Sequence, residues 1–354
     1  MFWDVNNFNH SHPRLDQRDM THTILVTAPR LAKAGVDRLN AAGCTTLFLR
    51  DANDPTEVER WLRTHPVDAV ISRTVTLSGE AIRACPTLKV ISKHGVGVSN
   101  IDVAAASACG IPVYVTPGAN AQSVAEMSLG LMLAAARRIG WMDAELRAGR
   151  WTRAQDGVEL AGRTLGLVGF GQIALRVAHA AMAIGMKVAA YDPAIPGART
   201  LDGVAIVPDL DTLLSRADVL SLHVPLTATT RGMIGRRELA LLPADAILVN
   251  TARGEVVDEA ALIEALSTRK LFAAGLDTTA SEPIEADNPL LALPNVVLTP
   301  HVGGSTPAAL ASMASGAVQN VLGFLSGHLP DARTCVNPET LRSEILCHSE
   351  ASAQ

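Results

Sequence analysis

The stretch Thr164–Asp192 reads TLGLVGFGQIALRVAHAAMAIGMKVAAYD. An apolar run stops at Gly169-Phe170-Gly171-Gln172-Ile173-Ala174, and a helical pattern begins at once. A second apolar run, Lys187 to Tyr191, ends in an acid, Asp192. Strand, glycine turn, helix, strand and acid in this order form the dinucleotide-binding fingerprint. Gly169 permits the tight turn, and Gly171, with no Cβ, lets the backbone approach a pyrophosphate. Ala174 is small enough for close packing of helix on strand. The helix N-terminus offers free N–H groups to the phosphates. Asp192 lies about twenty residues on, where an acid accepts both ribose hydroxyls. An acid there repels a 2′-phosphate, and the nearest arginine is Arg199, so the cofactor expected is NAD rather than NADP.

Outward from this unit, short apolar runs alternate with Ala/Leu-rich amphipathic stretches. Candidate strands are Thr23–Thr27, Thr46–Leu49, Ala69–Ser72, Lys89–Ser92 and Pro112–Thr116, then Thr164–Gly169, Lys187–Tyr191, Val219–His223, Ala246–Asn250, Ala273–Leu276 and Val296–Thr299. Strands this apolar, separated by helices, predict parallel sheets covered on both faces. Two series predict two doubly wound α/β domains. A helix pattern over Gly118–Gly140, opened by PGANAQS, bridges them, and another over Pro307–Leu325 is placed to fold back on the first. The expected organisation is a flexible extension over 1–20, a discontinuous substrate domain over 21–117 and 305–335, a Rossmann-type NAD-binding domain over 118–304 inserted into it, and a polar tail over 336–354.

The bulk properties agree. The chain has 354 residues, more than one core comfortably serves. It is 48% hydrophobic and 18% charged, with net charge −5, so no basic excess supports nucleic-acid binding. Five scattered cysteines without a CxxC pair fit reduced thiols in a cytoplasm, and no cluster has metal-ligand spacing. The polar first twenty residues lack the apolar core of a signal peptide. The longest apolar helix pattern, near Met127 to Ala136, is shorter than a membrane span.

A carbonyl that gains hydride needs a proton for its oxygen and an anchor for orientation. Three loops that follow strands of the second series can supply these. NTARGEVVD carries Arg253, a planar fork for a carboxylate. LDTTASEP ends a strand at Asp277 and places Glu282 beyond it, and LTPHVGG ends the last strand with His301. Ligands gather at carboxyl ends of strands in open α/β sheets, so the three can face one cleft. Read alone, Arg253 is as easily a surface ion-pair residue and His301 a packed histidine.

From about Thr23 to Leu325 the chain resembles the D-isomer-specific 2-hydroxyacid dehydrogenase family, which includes D-3-phosphoglycerate dehydrogenases. The resemblance rests on KHGVGVSNID (93–102), TPGANAQSVAE (116–126), VGFGQIA (168–174), HVPLTATTRGMI (223–234), NTARGEVVDEAAL (250–262), LDTTASEP (276–283) and NVVLTPHVGG (295–304). It implies a flavodoxin-like substrate domain and hydride transfer between NAD(H) and C2 of a 2-keto or 2-hydroxy acid. It implies that Arg253 holds the substrate carboxylate, that His301 is the general acid and base, and that Glu282 pairs with His301 and favours its protonated form. Backbone amides near Val96 and Gly97 would also reach the carboxylate, and Asp277 would bind the nicotinamide amide. His223, Val224, Pro225, Thr251, Ala252 and Gly303 would line the cofactor, with Gln172 and Ile173 at the glycine turn. Arg73 matches a phosphate-holding position, and Lys93 and His94 stand near the substrate side. A phosphoglycerate or hydroxypyruvate/glyoxylate substrate is therefore expected, with a homodimer through 118–160 in the cytoplasm. TTAS stands at 278–281, where relatives usually carry an aromatic residue. No long carboxy-terminal regulatory domain follows in this sequence, so serine feedback through one is not expected. Two other readings are a formate dehydrogenase relative, disfavoured because that branch pairs its histidine with glutamine, and an NAD(H)-sensing corepressor-like binding protein.

Overall fold

The computed structural model describes residues 21–51, 54–153 and 156–341. The extension expected over 1–20 and residues 342–354 of the expected tail lie outside the described residues.

Five strands form the first sheet: β1 (Thr23–Val26), β2 (Thr45–Phe48), β3 (Ala69–Ser72), β4 (Val90–Lys93) and β5 (Val113–Tyr114). Their order is β2-β1-β3-β4-β5, all parallel. The second sheet comprises β6 (Thr164–Val168), β7 (Lys187–Tyr191), β8 (Arg199–Leu201), β9 (Val204–Ile206), β10 (Val219–Leu222), β11 (Ala246–Asn250), β12 (Leu271–Leu276) and β13 (Val296–Leu298). Its order is β13-β12-β11-β10-β6-β7-β9-β8, parallel except for β8 against β9. The two orders are the flavodoxin-like and Rossmann-type windings. Apolar clusters cover both faces of each sheet, which is why the strands carry nearly continuous Val/Ile/Leu/Ala runs.

The helix Pro307–Leu325 packs on the first sheet. Its stripe of Ala314, Ala317, Val318 and Val321 is buried against Ile24, Val26, Ile71 and Val90. Each of the two valines contributes about 1.5–3 kcal/mol by leaving water. Thr306 caps this helix by accepting from the Ala309 amide at 3.2 Å, and Pro307 takes its first position, where no N–H is needed.

The structure corrects four expectations. The single helix expected over Gly118–Gly140 is two, Ala121–Ala136 and Ile139–Arg147, parted where Arg138 adopts φ 52°. The hairpin β8–β9 was not expected. Its strands have three residues each, too short for a period, yet Asp202-Gly203 between them, both at positive φ, is the dipeptide a tight hairpin favours. The tail does not begin as a free segment at 336. Asn337 is buried and accepts from the Val113 amide at 2.7 Å, while its amide donates to the Ile111 carbonyl at 3.0 Å, so residues to 341 extend the first unit. Among the described residues one helix, Pro307–Leu325, is long and apolar enough to cross a membrane. Its bounds match the sequence reading, which overlooked how apolar it is, and its apolar side is the one laid on the first sheet.

Candidate active site

Each sheet has a switch point, and both open toward the groups singled out above. In the second sheet it lies between β6 and β10. Gly169 follows β6 with φ 87°, and a Cβ there would stand 2.8 Å from the His223 carbonyl oxygen that follows β10. The glycine turn and His223–Pro225 therefore meet in backbone contact. Gly171 is the reverse case: nothing lies within 4 Å of where its Cβ would be. The helix Gln172–Ala183 opens at Gly171 without a side-chain cap, so its first N–H groups stand free beside that open space. Asp192 accepts from the Phe170 amide at 2.9 Å and from the Ala194 amide at 2.9 Å, which holds its carboxylate at the rim of the turn. These residues fit a dinucleotide: a pyrophosphate at the helix start and a ribose beside Asp192. Gly171→Val is expected to fold normally by circular dichroism and to bind NADH at least about tenfold more weakly, because a side chain would fill the space a phosphate needs. Unchanged NADH affinity in a fluorescence titration would remove Gly171 from this site.

Gln172 is placed otherwise than Ile173 and Gly171. A Cβ at Gly118 would meet the Gln172 side chain, so that side chain reaches the crossing between the two units. It borders a cleft of about 790 Å³ along the helix Pro307–Leu325 and the 328–334 turn, which contains neither Arg253 nor His301.

The proton-handling groups come from three consecutive loops of the second sheet. His301 follows β13 and takes φ 52°, an uncommon left-handed conformation for a side-chain-bearing residue. It is held there because its amide donates to the Asp277 carbonyl at 2.8 Å. Its Nδ1 lies 2.7 Å from Glu282 Oε2. Burial would raise the Glu282 carboxyl, but the hydrogen bond and charge of His301, the Thr279 amide and Arg253 together hold it below the usual carboxylate range.

Asp277, expected at the nicotinamide, is 2% exposed, and its carboxylate is engaged on all sides by the next loop. It accepts from Thr299 Oγ1 at 2.6 Å, the Val302 amide at 2.9 Å and the Gly303 amide at 2.8 Å. Asp277 thus braces the turn that presents His301, and Gly303 is the other half of that brace.

Arg253 follows β11. Asn250 holds its loop by donating to the Arg253 carbonyl at 2.8 Å and accepting from the Ala252 amide at 3.0 Å. Thr251 is buried with its hydroxyl 2.7 Å from Ser128. The Arg253 guanidinium crosses to the first unit and lies where a Cβ on Gly97 would be, so a side chain at 97 would have to displace it. Val96 beside it is an exposed apolar residue. The family resemblance alone placed Arg253 and Gly97 on one carboxylate; residue patterns offered no clue to this contact between groups far apart in the chain.

Around the switch point of the first sheet stand further basic residues. Arg30 follows β1, Arg73 follows β3, and Lys93 and His94 close β4. Burial, then the charges of Arg253 and Arg73, push Lys93 down to about 7. Burial, then Arg73, push His94 down to about 4, and its buried Nε2 has no hydrogen-bond partner. Burial and the charge of Arg30 depress Arg73 as well. Lys93 also serves the local structure. Asn100 accepts from its Nζ and donates to the Arg73 carbonyl at 2.9 Å and the Val75 carbonyl at 2.7 Å. Asn100, which sequence reasoning passed over, therefore shapes the turn that carries Arg73.

A glycine turn at one switch point and an arginine, a carboxylate and a histidine on neighbouring loops define a nucleotide-dependent oxidoreductase-type α/β protein. Residues 129–303 match the family described as D-isomer specific 2-hydroxyacid dehydrogenase, NAD binding domain. The chain is 48% identical over 247 residues to a hydroxypyruvate reductase of Thermotoga maritima, covering 69% of this chain and 80% of that protein. It is 45% identical over 283 residues to a D-3-phosphoglycerate dehydrogenase of Methanocaldococcus jannaschii, covering 79% of this chain and 53% of that one. Among solved structures, the TT0316 protein of Thermus thermophilus superposes with TM-score 0.81 at 37% identity, covering 89% of this chain and 99% of that one. The chain belongs to the D-isomer-specific 2-hydroxyacid dehydrogenase family, and its second unit is the family's NAD-binding domain. It spans about half the length of the phosphoglycerate dehydrogenases it matches.

Proposed function

We propose that this protein is an NAD-dependent dehydrogenase of 2-hydroxy acids, reducing the matching 2-keto acids in reverse, of the phosphoglycerate or hydroxypyruvate/glyoxylate type. The observation that carries the reading is the convergence of Arg253, Glu282 and His301, with Glu282 2.7 Å from the histidine and within reach of the Arg253 charge. Bound NADH supplies a hydride to the keto carbon C2. The protein's groups do the rest. Arg253 grips the substrate carboxylate with its fork, and the Val96 and Gly97 amides complete that grip. His301 keeps Nδ1 on Glu282, which leaves Nε2 to give a proton to the C2 oxygen in reduction and to take it back in oxidation. Glu282, held anionic, favours the imidazolium that must form. Closure of the two units around the cleft excludes water from the transfer. Steady-state NADH oxidation against a panel of 2-keto acids tests the reading, and absence of turnover with every member overturns it.

The cations at the first switch point support a substrate with a second anionic group, such as a phosphate. Arg73 feels the charge of Arg30 and Lys93 feels those of Arg253 and Arg73, while His94, pushed down to about 4, is neutral near pH 7; among the described residues no carboxylate is one of the charges that shift these groups. Lys93 gives the pH test. Its proton is already leaving at about pH 7 in the free protein, and an anion beside it favours the protonated form. The KM for 3-phosphohydroxypyruvate is therefore expected to rise with pH above about 7, more steeply than the KM for hydroxypyruvate, and Lys93→Met is expected to remove the difference. Parallel slopes for the two substrates in the wild-type protein would exclude Lys93 from the anion site.

The same reading includes a cytoplasmic homodimer through residues 118–160. In its support, Leu133, Ile139, Leu146 and Trp151 are exposed on this segment, Trp151 at 75%. Light scattering at micromolar concentration checks it, and a monomer mass contradicts it.

A further inference from the structure

We propose that Glu259 is a positioning residue for the Glu282–His301 pair, acting as a clamp on the loop that carries Glu282. After β12 the chain leaves the sheet at Asp277 and returns to a helical turn at Pro289–Ala292. Within this excursion the internal hydrogen bonds are local: Thr279 Oγ1 to the Ser281 carbonyl at 2.7 Å, and the Thr279 amide to Glu282 at 3.3 Å. Beyond Asp277, whose hydrogen bonds go to Asn250 and the His301 loop, and apart from the Glu282–His301 pair itself, the hydrogen bonds that tie residues 278–288 to an element other than the helical turn that follows end on Glu259. Its Oε2 accepts from the Ala280 amide at 3.0 Å, and its Oε1 accepts from Asn288 Nδ2 at 2.9 Å. One half-buried carboxylate thus grips the excursion on both sides of Glu282. Asn288 is itself fixed, since it accepts from the Leu290 amide at 2.9 Å.

Glu259 is well seated for this. It opens the helix Glu259–Ser267, where the N-terminal dipole favours a negative charge, and Asp258 caps that helix by accepting from the Ala261 amide at 3.1 Å. The same segment carries Arg253. Gly254 packs so tightly on the Thr279–Ala280 backbone that a Cβ would overlap the Thr279 carbonyl. The loop that anchors the substrate carboxylate and the loop that orients the histidine are therefore locked in register by Gly254 in contact and Glu259 in hydrogen bonding. Glu259 touches neither substrate nor cofactor in this arrangement. Its effect on the reaction passes through Glu282, so the kinetic part of the inference rests on the function proposed above.

Hydrogen–deuterium exchange of the peptide spanning 277–290 in the full chain, together with kcat and KM for the best keto acid, tests it. Glu259→Ala is expected to speed exchange in this peptide at least about tenfold while leaving the strands unchanged. It is expected to lower kcat about tenfold with KM changed less than about threefold, because Arg253 keeps its grip while the histidine loses its fixed partner. Glu259→Gln, whose amide oxygen still accepts from Ala280 but whose amide nitrogen cannot accept from Asn288, is expected to fall between wild type and Glu259→Ala in both. Unchanged exchange in Glu259→Ala, unchanged kcat despite a loosened loop, or equal damage in Glu259→Gln each overturns the proposal. Should Glu259→Ala not fold, Asn288→Ala removes one side of the clamp and must loosen the same peptide. A wild-type protein that turns over no keto acid defeats the proposed function, while the exchange data still decide whether the clamp exists.

Discussion

Replacement of His301 by asparagine is expected to lower kcat about 1,000-fold and to leave NADH binding at the wild-type level. Asparagine is the informative choice because His301 stands at φ 52°, a conformation that asparagine tolerates better than most residues. The hydrogen bond from the residue 301 amide to the Asp277 carbonyl, and those that the Val302 and Gly303 amides donate to the Asp277 carboxylate, can then persist, so the loss reports the ring and not the backbone. Asparagine can offer a hydrogen bond to the C2 oxygen but cannot transfer a proton. The pH dependence of kcat that belongs to the histidine should disappear with it. Glu282→Gln is expected to be milder, since the glutamine can still hold Nδ1 while it no longer favours the imidazolium. A His301→Asn protein that keeps most of its kcat would refute the proton-transfer assignment.

Arg253→Lys is expected to reduce kcat/KM for every 2-keto acid by about 100-fold or more, although the charge is kept. The tip of the guanidinium occupies the space a Cβ at 97 would take, so a side chain there would have to displace it. A lysine ammonium is a point charge without the planar fork, so it cannot hold a carboxylate at two oxygens and aim the neighbouring carbonyl at once. The loss should appear in both KM and kcat, because the anchor serves binding and orientation. Gly97→Ala is expected to mimic it by displacing the guanidinium. Activity within about fivefold of wild type for Arg253→Lys would show that a simple positive charge suffices.

Much of the fold is visible in one dimension because its signals are local. Gly169, Gly171, Ala174 and Asp192 act within one strand–helix–strand unit, and that unit is where the structure puts the switch point of the second sheet. The apolar runs mark eleven strands to within a residue or two at most ends, since strands buried on both faces must be apolar throughout. The hairpin β8–β9 escaped because three-residue strands have no period to read, and the break because both residues of its turn, Arg137 and Arg138, are ordinary helix formers.

Arg253, Glu282 and His301 could be nominated from their places after strands, and the family resemblance paired Glu282 with His301, but the residues themselves determined only which types stand at which strand ends. Tertiary structure decided which of them meet. It brought Glu282 to His301 through a loop clamped from Glu259 and laid Arg253 over Gly97 across the two units. It also turned Asp277 inward as a brace and gathered Arg30, Arg73 and Lys93 from three strands at one edge. The physical reason is range. Strand and turn preferences act over a few residues, whereas these contacts join groups from about 20 to more than 150 positions apart, and only packing of the sheets and their crossing helices fixes such distances.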